Sequence, residues 1–194
     1  MNWFVCLPVS PGAWFAPLLE TLPRRVLRPF APEDLHATVA FLGKVGEDAA
    51  RDAWEAVRPL AAGRYRAPLR GTLGVLRPMG NPRRFSALSA TFEQGAELLG
   101  DLVGELRGPA YAAANARPDD RPPLAHVTIA RPPRDAGERE RRIALAWAEE
   151  QGPIGAEVEL ATLALYTWSE NRAVRQFRSV AEVSLVAGAA EPER

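Results

Sequence analysis

The sequence HATVAF at positions 36–41 is repeated as HVTIAR at positions 126–131. Each copy begins with His, has Thr two positions later, and has Ala two positions after the Thr. These are the only two histidines of the chain, and only seven threonines occur among its 194 residues. If positions were independent, Thr would follow both histidines at this spacing by chance in roughly one such sequence in a thousand. The repeat therefore predicts two similar lobes, each contributing one copy to a shared cleft.

The composition of the repeat indicates acid–base chemistry. In a strand, residues two apart project to the same face, so His36 lies beside Thr38 and His126 lies beside Thr128. An unperturbed imidazole titrates at about 6.5, so one of two facing histidines can be neutral while the other is protonated. Hydroxyl groups can donate hydrogen bonds to phosphoryl oxygens. This combination fits phosphodiester cleavage, which removes a proton from an incoming oxygen and delivers one to a departing oxygen.

Hydrophobic periodicity and turn residues predict the remaining elements. Strands are expected at 1–10, 35–41, 64–77, 85–92, 124–131, 158–168 and 176–186, and helices at 11–22, 47–61, 95–106 and 138–150. Because several strands are adjacent in sequence, the order favours an α+β fold with mostly antiparallel pairing. We expect a bilobal arrangement, with two pseudo-symmetric lobes of sheet and flanking helices around a central cleft.

The chain is expected to form one domain over residues 1–194, made of two intertwined lobes and ending in a flexible tail at 187–194. The helix at 47–61 has apolar residues near helical spacing, which predicts a buried stripe. The residues of this stripe are Ala50, Ala53, Trp54, Val57 and Leu60.

Charge and cysteine content limit the possible functions. The 24 basic and 24 acidic residues cancel, so the overall field does not attract nucleic acid, and any polyanion contact must be local. Cys6 is the only cysteine, so no disulfide forms within the chain, and we expect a cytoplasmic protein. No apolar run approaches the roughly 20 residues that span a bilayer.

Several catalytic classes lack their motifs. The sequence has no phosphate-binding loop of the ATPase type, no Cys/His cluster with zinc spacing, and no Gly-x-Ser-x-Gly nucleophile motif. We therefore expect no metal site and no cofactor.

The two H-x-T segments resemble those of the two-histidine (2H) phosphoesterases, specifically the RNA 2′,3′-cyclic phosphodiesterases also called 2′-5′ RNA ligases. The resemblance extends to the segments DLHATVAFLGKV (34–45), APLRGTLGVLRP (67–78) and PLAHVTIARPP (123–133). It covers nearly the whole chain. The paired H-x-T motifs, the FLG after the first and the Arg after the second are fairly specific together.

The resemblance implies hydrolysis of an RNA 2′,3′-cyclic phosphate to a 2′-phosphomonoester without metal. His36 would protonate the departing 3′ oxygen, and His126 would activate water. Thr38, Thr128 and Arg131 would hold phosphate oxygens. The substrate class would be RNA with 2′,3′-cyclic phosphate ends or small cyclic nucleotides, and reversible 2′-5′ ligation would be a secondary activity. A monomer without a membrane association is expected.

Three positions outside the H-x-T motifs bear on contacts with the substrate. Arg131 is five residues after His126, so an ideal strand would point it to the opposite face, and it reaches the phosphate only if the strand ends or bends near Ala130. Phe41 occupies the matching place in the first copy and is a candidate for stacking on a nucleobase. The family often has Tyr in its last strand where this chain has Phe177, which leaves open whether a hydroxyl contacts the substrate there.

Two alternatives remain open from the sequence. The first is a cyclic phosphodiesterase acting on a small nucleotide such as an ADP-ribose cyclic phosphate. The second is a non-catalytic module that binds RNA ends.

Overall fold

The structure, a computed structural model, describes residues 1–172 and 175–188. Its strands are β1 (Trp3–Pro8), β2 (Arg28–Pro29), β3 (His36–Gly43), β4 (Leu69–Pro78), β5 (Leu88–Gln94), β6 (His126–Arg131), β7 (Glu157–Leu160), β8 (Thr162–Trp168) and β9 (Phe177–Ser184). Its helices are α1 (Phe15–Thr21), α2 (Glu47–Ala61), α3 (Ala96–Ala113) and α4 (Glu138–Glu150).

The strands form one curled antiparallel sheet, a half-barrel, in the order β7-β4-β5-β6-β3-β1-β8-β9, with β2 paired to β6. The strands β3 and β6, which carry the two H-x-T motifs, lie side by side at the centre. Three further strands follow on each side of this central pair. The predicted α+β fold with two pseudo-symmetric halves is therefore confirmed.

The two halves are connected near Ala161. The predicted single strand 158–168 is wrong, because it divides there into β7 and β8. The first part pairs with β4 at one end of the sheet, and the second pairs with β1 and β9 at the other end. Leu160 still pairs with β4 and Thr162 already pairs with β9, so the ladder breaks at Ala161, where the chain passes from one end of the sheet to the other.

Other boundaries also differ from the sequence prediction. The helix α3 continues to Ala113, seven residues beyond its expected end, because Leu106, Ala110 and Tyr111 keep one face of the helix buried. The strand β4 begins at Leu69 instead of position 64. The two-residue strand β2 is too short to produce a periodic signal. Of the predicted tail at 187–194, residues 189–194 lie outside the described residues.

The hydrophobic core lies between the sheet and its helices. The predicted stripe of α2 is buried at Ala50, Ala53, Trp54 and Val57, but Leu60 is 43% exposed and Ala61 is buried in its place. Cys6 is fully buried in β1. Within the described part of the chain, no helix is both long and apolar enough to cross a membrane.

Candidate active site

The pairing of β3 with β6 brings the two motifs together. Ala37 is directly opposite Val127 in an antiparallel register. Extending this register by one residue in each direction places His36 opposite Thr128 and Thr38 opposite His126. Because alternate residues share a face and opposed residues point the same way, all four side chains lie on one face of the sheet.

Matching register shifts occur three residues after each histidine. In the pairing of β1 with β3, Val39 has no partner between the paired positions of Thr38 and Ala40. In the pairing of β5 with β6, Ile129 has no partner at the equivalent place. A bulge of this kind adds one residue to a strand and reverses the alternation of the side chains that follow it.

These bulges explain the position of Arg131. An ideal strand would point Arg131 away from His126, but the extra residue at Ile129 returns it to the histidine face. The expected bend therefore exists, one residue before the predicted Ala130. Phe41 is returned to the same face by the bulge at Val39. Val39 and Ile129 are ordinary strand residues in the sequence, so the shift shows only in the pairing with neighbouring strands.

Both imidazole rings are held by the same local bond. The Nδ1 of His36 lies 2.6 Å from the carbonyl oxygen of Asp34, and the Nδ1 of His126 lies 2.7 Å from that of Leu124. A carbonyl oxygen only accepts hydrogen bonds, so each Nδ1 carries the proton and donates it. The Nε2 of each ring is then left to accept or deliver a proton.

The surroundings of His36 are aromatic. Its ring centroid lies within 6.3 Å of four others, those of Phe4 at 4.9 Å, Phe177 at 5.4 Å, Tyr166 at 6.1 Å and Phe30 at 6.3 Å. The side chain is 7% exposed. Burial lowers the pKa of His36 from 6.5 to about 4, opposed by the bond to the Asp34 carbonyl and reinforced by the charges of Arg131 and His126.

His126 lies in a more open and more polar position. It is half-buried, and burial lowers its pKa, while the bond to the Leu124 carbonyl raises it and the charge of Arg121 lowers it. Arg121 is itself paired with Asp119, with 2.5 Å between the guanidinium nitrogen and the carboxylate oxygen. The two histidines are therefore equivalent in sequence and backbone but differ in environment.

The two threonines also differ. The Thr128 hydroxyl lies 3.1 Å from that of Ser89, and both side chains are buried. Thr38 is half-buried, and among the described residues none forms a hydrogen bond with its hydroxyl. The Thr38 hydroxyl is thus free to bind a ligand, whereas that of Thr128 already has one partner. Ser89 was not singled out from the sequence, where nothing distinguishes it from other strand residues.

Arg131 and Phe41 lie on opposite sides of the histidine pair. The guanidinium carbon of Arg131 is 4.9 Å from the centroid of the Phe30 ring, which is one of the rings around His36. Phe41 is 53% exposed and stacks on Phe4 with 6.5 Å between centroids. One side therefore offers a cation and the other an exposed aromatic face.

The four rings around His36 form an aromatic wall, and Phe177 is the member of this wall that belongs to the last strand, β9. Its ring meets that of His36 edge-on, at an interplanar angle of 89°. Asp34, which is fully buried, fixes this strand because its carboxylate accepts the backbone N–H of Gln176 at 2.7 Å and that of Phe177 at 3.0 Å. Asp34 was not predicted as a site residue, since its partners are about 140 positions away in the sequence.

A hydroxyl is nevertheless present on this wall. Tyr166 of β8 has its ring 6.1 Å from that of His36, and burial raises the pKa of its phenol.

The structure offers no cluster of metal ligands in the part of the chain that it describes. Among residues 1–172 and 175–188, no group of three or more His, Cys, Asp or Glu side chains could hold a metal ion.

No protein-family model matches the sequence, and no curated protein matches it. Solved structures do share its fold. TT0787 of Thermus thermophilus aligns over 97% of this chain and 100% of its own, with a TM-score of 0.69 and 23% identity. A phosphoesterase aligns over 95% and 98%, with a TM-score of 0.65 and 22% identity.

Escherichia coli LigT, complexed with 3′-AMP, aligns over 94% of this chain and 97% of its own. Its TM-score is 0.65 and its identity 21%. The resemblance drawn from the two H-x-T segments is therefore confirmed at the level of the fold, over nearly the whole chain.

Proposed function

We propose that this chain is a two-histidine phosphoesterase that hydrolyses RNA 2′,3′-cyclic phosphate ends to 2′-phosphomonoesters without a metal ion. The observation that carries the proposal is the central pairing of β3 with β6. It presents two imidazoles and two threonine hydroxyls on one face, each imidazole with its Nδ1 bonded to a backbone carbonyl. Two groups that exchange protons on either side of one phosphate satisfy both proton transfers of the reaction.

The reaction balances with the two histidines alone. The Nε2 of His126 takes a proton from water, and the water oxygen forms a bond to phosphorus. The bond between phosphorus and the 3′ oxygen breaks, and the Nε2 of His36 delivers a proton to that oxygen. The products are a 2′-phosphomonoester and a 3′-hydroxyl. The protonation states of the histidines are then restored by exchange with solvent.

The low pKa of His36 makes its acidic role depend on the substrate. In the free protein His36 is neutral at pH 7, because burial disfavours its charged form. An anionic phosphate beside the ring favours the imidazolium and raises the pKa. We propose that substrate binding itself produces the protonated His36, so that the acid forms where the leaving oxygen lies.

The remaining contacts follow from the positions of the side chains. The Thr38 hydroxyl, the Thr128 hydroxyl and the Arg131 guanidinium bind the non-reacting phosphate oxygens. Phe41 stacks on the terminal base. E. coli LigT, which shares this fold, is complexed with 3′-AMP in one structure and with phosphate in another, which supports a nucleotide phosphate as the ligand here. Ligation is the same displacement with an RNA 5′-hydroxyl in place of water, so that a 2′-5′ phosphodiester forms as the 3′ oxygen leaves, and the reverse of that step cleaves the 2′-5′ linkage.

We also propose that the protein acts as a cytoplasmic monomer. One chain supplies both histidines, both threonines, Arg131 and Phe41, so the proposed chemistry needs no second copy. The single cysteine is consistent with a reducing compartment.

The test is turnover by the wild-type protein in excess EDTA on three substrates: a short RNA with a 2′,3′-cyclic phosphate, a nucleoside 2′,3′-cyclic phosphate, and an ADP-ribose cyclic phosphate. We expect the RNA to be hydrolysed with the highest kcat/KM and to yield only the 2′-phosphate. Faster hydrolysis of the ADP-ribose compound would assign the small-nucleotide function instead. Tight RNA binding without turnover of any substrate would identify an RNA-end binding module.

A further inference from the structure

A second arginine lies beside Arg131. Strand β2 pairs antiparallel with the end of β6, with Arg28 directly opposite Arg131 and Pro29 opposite Ala130. The backbone N–H of Phe30 donates to the carbonyl oxygen of Ile129 at 2.9 Å and extends this pairing. Side chains directly opposite each other in such a ladder share a face, with Cα atoms about 4.5–5.5 Å apart. Arg28 therefore projects from the same face as Arg131.

Two like charges placed in this way repel each other. Among the residues that the structure describes, no carboxylate forms an ion pair with Arg28 or Arg131. Other arginines are neutralised: Arg64 pairs with Glu105, and Arg70 pairs with two glutamates. The Arg28–Arg131 pair thus has an uncompensated double positive charge, which an anion bound between the guanidinium groups would neutralise.

The pair lies at the His36 end of the candidate site. Arg131 stacks on Phe30, and its charge contributes to the low pKa of His36. Phe30 is also part of the wall around His36, and it is only two residues from Arg28. The same short segment therefore supplies one cation of the pair and one ring of the histidine pocket.

We infer that Arg28 is a phosphate-binding residue, and that Arg28 and Arg131 hold one phosphate group of the substrate between them. This inference rests on the proposed function and deepens it. A cyclic phosphodiester carries a single negative charge, whereas a phosphomonoester carries about −1.5 to −2 near pH 7. Two guanidinium groups therefore favour the monoester product over the cyclic substrate, and the 2′-phosphomonoester inhibits the enzyme until it is released.

The test compares Arg28→Ala with Arg25→Ala, which removes the same charge from an exposed arginine three residues away. Binding of inorganic phosphate and of a nucleoside 2′-monophosphate is measured by calorimetry at pH 7.5, and KM is measured for a nucleoside 2′,3′-cyclic phosphate. Loss of a hydrogen bond to a charged group predicts that Arg28→Ala raises the Kd for the 2′-monophosphate by about tenfold or more. We expect a smaller rise in KM for the cyclic substrate and no change in Arg25→Ala.

A second variant and the melting temperature separate binding from folding. Because Arg28→Ala removes a repulsion, its Tm without phosphate should equal or exceed that of the wild type, and its gain in Tm on adding phosphate should be smaller. Arg28→Glu places a carboxylate opposite Arg131 and should weaken phosphate binding further while raising Tm.

The inference and the proposed function can fail separately. Phosphate and monophosphate affinities that are the same in Arg28→Ala and Arg25→Ala would overturn the inference, even where the wild type hydrolyses the cyclic phosphate. The opposite outcome is also possible. If Arg28→Ala weakens phosphate binding but the wild type hydrolyses no cyclic phosphate, the inference is sustained and the proposed hydrolysis is refuted.

Discussion

The low pKa of His36 has a measurable consequence for stability. In the unfolded chain the imidazole titrates at about 6.5. In the folded protein it titrates at about 4, chiefly because it is buried. Between these pH values the unfolded state binds more protons than the folded state, so the free energy of unfolding falls as the pH falls through this window. Above about pH 6.5 the group contributes nothing, and below about pH 4 the full loss has occurred.

The size of the loss follows from the shift. A change of one pKa unit corresponds to 1.36 kcal/mol, so the shift of His36 destabilises the folded state by about 3 kcal/mol at pH 4 relative to pH 7. Urea unfolding at several pH values measures this loss of stability when the wild type is compared with His36→Gln, because the glutamine side chain does not titrate. We expect the difference in unfolding free energy between the two proteins to change by about 3 kcal/mol across the window.

The chain has only two histidines, so their imidazole NMR signals can be assigned with a single variant. The His36 signal should titrate near pH 4 in the free protein and at a higher pH with a bound nucleoside 2′-monophosphate. A His36 pKa near 6.5 in the free protein, together with the same pH dependence of stability in wild type and His36→Gln, would show that burial does not lower the pKa of this histidine.

Three further predictions concern individual side chains. Thr38→Val should lower kcat/KM by about tenfold without loss of stability, because its hydroxyl has no hydrogen-bond partner among residues 1–172 and 175–188. Thr72→Val on β4 should leave the kinetics unchanged, and equal kcat/KM values for the two variants would exclude a role for Thr38. Phe41→Ala should raise KM for a base-bearing substrate at least about fivefold, because the base loses its stacking partner. Leu60→Ala, which truncates another exposed apolar side chain, should leave KM unchanged, and an unchanged KM in both variants would argue against stacking. Asp34→Ala should lower the free energy of unfolding by about 2 kcal/mol or more, because two backbone N–H groups lose their acceptor. An unchanged urea denaturation midpoint would show that the Asp34 carboxylate does not stabilise the start of β9.

The central arrangement could be predicted because it depends on local rules. The alternation of side chains in a strand is enough to place each histidine beside its threonine, and the repeat is enough to predict that the two copies meet. The direction of Arg131 could not be settled in this way, because a bulge is defined by the pairing of two strands. Ile129 is apolar and β-branched whether it lies in a regular ladder or in a bulge.

The residues missed by sequence reasoning share a physical reason. Asp34 acts through the backbone N–H groups of Gln176 and Phe177 at the start of β9, and Arg28 matters because β2 pairs with β6. Both are contacts between segments about a hundred or more positions apart, and neither leaves a periodic signal. The break at Ala161 is similar, since it depends on which strands are available as partners at each end of the sheet.

The most direct test of the paired-histidine mechanism is the single-turnover rate of RNA 2′,3′-cyclic phosphate hydrolysis by wild type, His36→Ala, His126→Ala and the double variant. The effects of substituting two groups that act in one step are not additive. We therefore expect each single variant to lose at least about a hundredfold in rate and the double variant to be scarcely slower than either. A rate equal to that of the wild type in either single variant would rule out the paired-histidine mechanism.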